Sequence, residues 1–376
     1  MEWKLCVPCL LGLEGPIADE LRRLDMKNVA AENGRVCFTG GARELARANI
    51  ALRVGERVLL ELGSFEARSF DELFEGTKAL PWEDFIPTDG AFPVKGYSLN
   101  SMLFSVSDCQ KIIKKAIVER LKSVCGIEWF AETGALYQVQ FSIMNDRVSL
   151  CLDSSGDGLH KRGYRPAHNA APLKETMAAA MVLLSRYRGR DDFCDPFCGS
   201  GTIPIEAALI ALNRAPGLDR SFSAMRWGFV DGRVWDEARE EARAKEFRGQ
   251  YRIVGSDIDP QALQLAKENA ARAGVADIVR FELADATKFD RPTERGVIVT
   301  NPPYGERIGE KAEAEELYRA FGKAWRRNPN WRLYLLSSHT EFERCFGREA
   351  DKKRKLYNGM IKCDLFMYYK EKDRKA

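Results

Sequence analysis

The stretch Asn301-Pro302-Pro303-Tyr304-Gly305 offers an amide oxygen, a backbone carbonyl stiffened by two prolines and an aromatic face at one point of the chain. That set suits an exocyclic amine on a flat base. Asn301 and the Pro302 carbonyl would accept its hydrogens, and Tyr304 would stack on a base drawn out of its helix. Upstream lies a glycine turn, Asp195-Pro196-Phe197-Cys198-Gly199-Ser200-Gly201-Thr202. It has the form of a strand handing over to a helix while the backbone closes on a small cofactor. Together the two stretches point to methyl transfer from S-adenosylmethionine to a nucleobase nitrogen.

These groups work only if the surrounding elements bring them together. Asp192-Phe193-Cys194 reads as a strand before the glycine turn, and Thr202 to Leu212 as the helix after it. Arg252-Ile253-Val254 is a second strand that runs into Gly255-Ser256-Asp257-Ile258-Asp259. An acidic residue at that tip can accept from both ribose hydroxyls. A helix over Leu263 to Ala273 precedes a third strand, Ile278 to Leu283, closed by Asp285-Ala286, where Asp285 would accept from an adenine amino group. Gly296 to Thr300 is a fourth strand with Asn301 at its exit. Function at successive strand tips is what an open parallel sheet predicts. The expected cofactor residues are therefore Asp195, Phe197, Gly199, Ser200, Gly201, Thr202, Asp257, Ile258, Asp285, Ala286 and Asn301. A nicotinamide dehydrogenase fits poorly, because the turn lacks a third glycine and no hydride-site pair is evident.

At 376 residues the chain exceeds one ordinary core, so two or three domains are expected. Strands over Leu5 to Leu11, Val36 to Phe38 and Arg57 to Leu62 alternate with helices over Gly15 to Leu24 and Glu44 to Leu52, a ferredoxin-like α+β order. A second α+β unit covers Asp71 to Asp153. Its clearest helix, Cys109 to Ser123, would be capped by Ser107 or Asp108 and would bury Ile112, Ile113, Ala116, Ile117 and Leu121. Two strands, Tyr137 to Ile143 and Arg147 to Leu152, flank a turn at Asn145-Asp146. Ser154 to Gly158 reads as a hinge, and Pro172 opens a helix through Leu184. The boundaries are 1–65, 66–155, a linker over 156–170, and 171–376.

With 58 basic against 55 acidic residues the net charge is only +3, so any nucleic-acid surface must be local. Lys111, Lys114 and Lys115 on the second unit's helix, and Lys161, Arg162 and Arg165 around Gly163-Tyr164, are the expected RNA contacts; a solvated surface is the plain alternative. The chain contains no apolar run long enough to span a bilayer and does not open on a signal peptide, so a cytoplasmic location and no membrane partner are expected. Ten cysteines and three histidines fall in no metal-binding pattern. They predict reduced, buried thiols and no metal site. His339 reads as structural, and Lys352-Lys353-Arg354-Lys355 as a solvated face or a phosphate contact.

The glycine turn, Ser256-Asp257-Ile258-Asp259 and the Asn301-Pro302-Pro303-Tyr304-Gly305 turn, in this order, resemble the class I guanine-N2 RNA methyltransferases that carry an N-terminal THUMP domain. They are most similar to the amino-terminal half of the bacterial 23S ribosomal RNA enzymes. Leu159-His160-Lys161-Arg162-Gly163-Tyr164-Arg165, Ala171 to Thr176 and Leu356 to Cys363 extend the likeness over nearly the whole chain. The resemblance implies an α/β fold with a Rossmann-like methyltransferase domain behind a ferredoxin-like and THUMP RNA-binding region. It also implies S-adenosylmethionine as cofactor and 23S ribosomal RNA or transfer RNA, not DNA, as partner. A DNA adenine-N6 methyltransferase and a non-catalytic RNA-binding assembly factor are the rival readings.

Overall fold

Every second residue is buried along Val139–Met144: Val139, Phe141 and Ile143 turn inward while Gln140, Ser142 and Met144 face outward. That period of two marks a strand with one covered face, and the same logic builds the first of two units. The computed structural model describes residues 2–165, 173–291, 293, 295–305, 310–359 and 361–369. Ala171, the helix-opening Pro172 and Met360 lie outside the described residues.

The first unit comprises Met1–Cys9, Ile17–Leu159 and Gly217–Glu241. In chain order its elements are β1 (Trp3–Pro8), α1 (Glu14–Arg23), β2 (Lys27–Glu32), β3 (Arg35–Gly40), α2 (Ala42–Ala51), β4 (Leu59–Glu66), α3 (Phe70–Lys78), β5 (Val94–Leu99), α4 (Val106–Cys125), β6 (Val139–Met144) and β7 (Arg147–Asp153). All seven strands form one sheet in the order β2-β3-β1-β4-β7-β6-β5. Strand β2, which is largely exposed and weakly patterned, is not evident from the sequence, nor are α3 and β5. The long β4–β7 ladder, from Leu59↔Asp153 to Glu66↔Arg147, fuses the two expected α+β units into a single sheet.

Three local expectations do not hold. Helix α4 starts at Val106, so neither Ser107 nor Asp108 is its cap; Ser105 flanks it and donates to Asp108 at 2.6 Å. Cys6 and Cys37, directly opposite in the β1–β3 ladder, form a disulfide, so only eight of the ten cysteines are thiols. The stretch Ser154 to Gly158 is no hinge at its start. Ser154 donates to the Val58 carbonyl at 2.7 Å, Ser155 accepts from Val58 N–H at 2.9 Å, and both serines bond the buried Asn49 amide.

The connection after the glycine-turn helix, longer than a minimal methyltransferase needs, also joins this unit. Gly217 N–H bonds the Ile50 carbonyl at 2.9 Å, and a Cβ at Gly217 would sit 2.7 Å from Ile50 Cα. Trp227 is buried, stacks on Tyr137 at 5.5 Å between centroids and donates its indole N–H to the Leu136 carbonyl at 2.9 Å.

The second unit comprises Leu10–Pro16, His160–Pro216 and Ala242–Ala376. Its elements are α5 (Glu175–Leu184), β8 (Asp192–Asp195), α6 (Thr202–Ala211), β9 (Ile253–Asp257), α8 (Pro260–Arg272), β10 (Val279–Leu283), β11 (Gly296–Thr300), α9 (Glu310–Arg326), β12 (Trp331–Ser337), α10 (Phe342–Phe346), β13 (Lys352–Asn358) and β14 (Ile361–Tyr368); α7 (Arg233–Ala244), in the long connection before β9, falls mostly in the first unit. The strand order is β10-β9-β8-β11-β12-β14-β13. The first five are parallel, and the β13–β14 hairpin is added antiparallel. Buried strands such as Gly296–Thr300 read as continuous apolar runs because both faces are covered. An aromatic cluster that includes Tyr318, Phe321, Trp325 and Phe346 fills one side of this sheet. Among the described residues no helix is long and apolar enough to cross a membrane.

One glycine tests the first unit's packing. An ideal Cβ at Gly96 would lie 2.1 Å from the Phe141 carbonyl oxygen across β5–β6. Gly96→Ala should therefore cost about 1–3 kcal/mol in denaturant unfolding; an unchanged midpoint would show that the β5–β6 spacing relaxes freely.

Candidate active site

The order of the second sheet puts its switch point between β8 and β11, where successive connections depart in opposite directions. Ligand crevices form outside the carboxyl ends of strands at such a point. A cavity of about 690 Å³ opens there, lined among others by Phe197, Gly199, Asp257, Ile258, Asp285, Ala286, Asn301, Pro302 and Tyr304. Nine of the residues singled out in the sequence thus meet in one place. A second cavity, about 720 Å³, lies near the opposite ends of the strands beside Asp192, Ile253, Val279 and Trp331 and contains none of the motif residues.

The remaining four, Asp195, Ser200, Gly201 and Thr202, are outside that lining and work on the turn instead. Asp195 is fully buried; it accepts from the Thr300 hydroxyl at 2.6 Å and from Phe197 N–H at 3.1 Å. Gly201 has φ +83, and a Cβ there would stand 3.0 Å from Ala266 and Phe281, so α6 can pack against α8 and β10 only with glycine at this point. The Ser200 carbonyl accepts from the Asn269 amide at 3.0 Å. At Gly199, with φ +50, a Cβ would meet nothing within 4 Å, so the turn leaves room on the cavity side.

Asp257 and Asp259 have separate roles that their spacing could not assign. Asp257 lines the cavity and accepts from Gly199 N–H at 2.9 Å and Asp259 N–H at 3.0 Å. Asp259 caps α8 through Gln261 N–H at 2.8 Å. Asp285 accepts from the Thr287 hydroxyl at 2.6 Å and its N–H at 2.9 Å; these bonds hold its carboxyl below the usual range, so an anionic acceptor faces the cavity. Ile258 is 72% exposed, an apolar side chain poised over the cavity rather than packed in the core. A nucleoside carrying a short charged chain fits this set: carboxylates for hydroxyls and an amine, an apolar cover, and a backbone turn with space above it.

At the far end of the cavity, Tyr304 donates its hydroxyl to Asn301 Oδ1. The sequence predicts a ring stacked on a base; in this structure the phenol hydroxyl bonds the Asn301 amide oxygen, which has two lone pairs and can take a second donor. Burial pushes the phenol above its ordinary value, with Cys363 beside it and Asn358 opposing the shift. Tyr318, buried in the aromatic cluster, anchors the turn by donating to the Pro303 carbonyl at 2.6 Å. Leu173, Leu317, Asn358 and Ile361 also line the cavity. Sequence reasoning misses them as site residues because they come from three distant segments; the Ala171 to Thr176 and Leu356 to Cys363 stretches are the available signals.

The basic residues divide. Lys111, paired with Asp108 at 3.3 Å, and Lys115 are exposed on α4, and Lys161 is exposed on its segment. Lys114 is half buried, with Nζ 2.6 Å from Glu132 and 3.4 Å from the Phe92 ring centre, and burial lowers its pKa. Arg162 and Arg165 are corrected from surface contacts to interior ones: they pair with Glu206 and Glu175. His339 is buried, accepts at Nδ1 from Glu341 N–H and packs edge-on to Tyr318, as a structural histidine would. Lys352 to Lys355 lie on β13, the outermost strand of the sheet, where charge discourages edge pairing.

These features define a class I methyltransferase site: a parallel sheet, a glycine turn, acidic strand tips and an Asn-Pro-Pro-Tyr turn on one cavity. Residues 162–366 match the RMKL-like methyltransferase domain, residues 4–59 the RlmL ferredoxin-like domain and residues 67–153 the THUMP domain, and the chain belongs to this methyltransferase family. It is 47% identical over 371 residues, 98% of this chain and 96% of the other, to the Bacillus subtilis (strain 168) protein named "Putative RNA methyltransferase YpsC". It is 33% identical over 366 residues to "Ribosomal RNA large subunit methyltransferase K/L" of Shewanella baltica (strain OS185), covering 95% of this chain but only 52% of that longer protein. Among solved structures, "SMU.472, a putative methyltransferase complexed with SAH" is 38% identical with TM-score 0.92, covering 99% of both chains. A Listeria monocytogenes protein described as a "predicted N6-adenine-specific DNA methylase" is 46% identical with TM-score 0.93, covering 98% of this chain and 96% of that one.

The buried Asp195 makes stability depend on pH. Burial, reinforced by the nearby Asp257 charge, raises its carboxyl from 3.8 to about 7. The folded state therefore binds more protons than the unfolded chain between those values. The stability contributed by the protonated carboxyl is present below the ordinary value and lost as pH rises toward about 7. Asp195→Asn should flatten the fall in melting temperature between about pH 4 and pH 7. An unchanged slope would show that another group titrates.

Proposed function

We propose that this protein transfers a methyl group from S-adenosylmethionine to the N2 amine of a guanosine in RNA, with 23S ribosomal RNA the favoured substrate. The observation that carries this reading is the single cavity in which Asn301 and Pro302 adjoin Asp257 and Asp285. The likeness to a structure complexed with SAH supports the cofactor, and the THUMP match with the ribosomal RNA relatives supports RNA as the substrate.

When bound, S-adenosylmethionine supplies an electrophilic sulfonium methyl. Asp257 would hold the ribose hydroxyls, Asp285 the adenine amine, and Gly199 and Phe197 the chain near the reacting centre. A guanine N2 is a weak nucleophile because its lone pair is delocalised into the ring. Asn301 Oδ1 and the Pro302 carbonyl, accepting both amine hydrogens, would draw the nitrogen toward tetrahedral geometry and aim its lone pair. Two prolines and the Tyr318 bond hold these acceptors in place, so little reorganisation accompanies reaction. Tyr304, which bonds the Asn301 amide oxygen, would cover the base. Lys111, Lys115 and Lys161 are the exposed cations for phosphate contact, which would make affinity fall with salt.

The name carried by the Listeria relative favours one second reading, adenine-N6 methylation of DNA by the same turn. Labelled S-adenosylmethionine offered with ribosomal RNA, transfer RNA and DNA from cells lacking the gene, followed by nucleoside mass analysis, separates the two. N2-methylguanosine in large-subunit RNA is the expected product; in transfer RNA it would keep the chemistry and move the target. N6-methyladenine would replace the guanine assignment. Asn301→Ala should lower turnover by about a hundredfold or more while leaving S-adenosylhomocysteine affinity nearly intact, and equal turnover would remove Asn301 from the mechanism.

A further inference from the structure

Arg165 combines a full charge, near-complete burial and contact with two segments of the cavity wall. Its Nε donates to Glu175 Oε1 at 2.8 Å and its Nη2 lies 2.7 Å from Glu175 Oε2, an ion pair at the first turn of α5. Its Nη1 donates to the Leu173 carbonyl at 3.1 Å and to the Thr202 hydroxyl at 3.2 Å. Leu173 lines the cavity, and Thr202 opens α6 directly behind the glycine turn. The two side chains of the ion pair are 13% and 4% exposed, which removes them from any RNA surface.

We infer that Arg165 is a positioning residue for the cofactor: one guanidinium fixes the start of α6, and with it Gly199, against the segment that supplies Leu173. Gly201 starts α6 from a left-handed conformation and carries no side chain to cap it, so contacts from other segments must set the tilt of the first turn, Asn269 at the Ser200 carbonyl and Arg165 at the Thr202 hydroxyl among them. The planar fork of arginine supplies that constraint by satisfying three acceptors from two segments at fixed angles, which the single ammonium of lysine cannot reproduce. Thr202, expected at the cofactor, is then the point through which Arg165 acts on the turn. The inference rests on the reading that this cavity takes S-adenosylmethionine.

The test is a double-mutant cycle read by S-adenosylhomocysteine titration calorimetry on Arg165→Lys, Thr202→Val and the double variant of the full chain. Melting temperature of the ligand-free protein and retention of bulk ribosomal RNA are measured alongside. Arg165→Lys should weaken S-adenosylhomocysteine binding by about tenfold or more, the scale of a lost charge-assisted hydrogen bond, and leave RNA retention unchanged. Thr202→Val, which keeps the ion pair, should weaken it by a smaller factor that disappears in the Arg165→Lys background. Unchanged S-adenosylhomocysteine affinity in either single variant, additive losses, or a fall in RNA retention with cofactor affinity intact would each overturn the assignment. If Arg165→Lys does not fold, Thr202→Val decides alone. No binding by the wild-type protein would instead sink the cofactor reading beneath it.

Discussion

The hydrogen bond from the Thr300 hydroxyl to the buried Asp195 carboxyl joins the two halves of the site. Asp195 ends β8 and begins the glycine turn; Thr300 ends β11 and precedes Asn301. At 2.6 Å this contact ties the glycine turn to the start of the Asn-Pro-Pro-Tyr turn. Neither group lines the cavity, yet Phe197, which bonds Asp195, and Asn301, which follows Thr300, both do. The cost of burying the carboxyl is visible in its raised pKa, which the hydroxyl and the Phe197 N–H only partly offset. A methyl transfer that depends on alignment more than on acid–base help tolerates such an expense, because a small misplacement of donor and acceptor loses more rate than a weakened fold loses stability.

Around this contact the unit uses buried charge sparingly and in pairs. Arg162 and Tyr164 meet Glu206 on α6, and Arg165 meets Glu175 on α5. These pairs fasten the basic segment to the helices behind the glycine turn. An unpaired carboxylate in either place would cost several kcal/mol, so removing one partner is far more damaging than the pair is stabilising. Two of the segment's basic residues, Arg162 and Arg165, thus neutralise buried acids, while Lys161 stays exposed.

The first unit shows a second economy. Its seven strands are continuous across two family domains, since β4 pairs with β1 on one side and with β7 on the other. The residues inserted after α6 complete its core through Trp227, which stacks on Tyr137 and reaches the Leu136 carbonyl. An insertion that looks like a loop in the chain is structural where it lands.

Much of the site was legible in the order of residues. Glycines where torsions need them, acids at strand exits and a doubly proline-stiffened amide are local signals, because a strand tip and a tight turn are defined by neighbours in sequence. The central strand Gly296–Thr300 was equally legible, its continuous apolar run being what double burial requires. What the tertiary structure alone decided is which polar groups face inward. Asp257 and Asp259 stand two residues apart, yet only Asp257 lines the cavity while the other caps a helix. Arg165 and Lys161 stand four apart, yet one is ion-paired and largely enclosed and the other exposed. Asn358 and Ile361 enter the cavity only because a hairpin is laid beside β12. Charge and spacing are properties of the chain, but desolvation and partnership belong to the packed state, and these decide whether a basic or acidic residue binds a ligand or holds the fold.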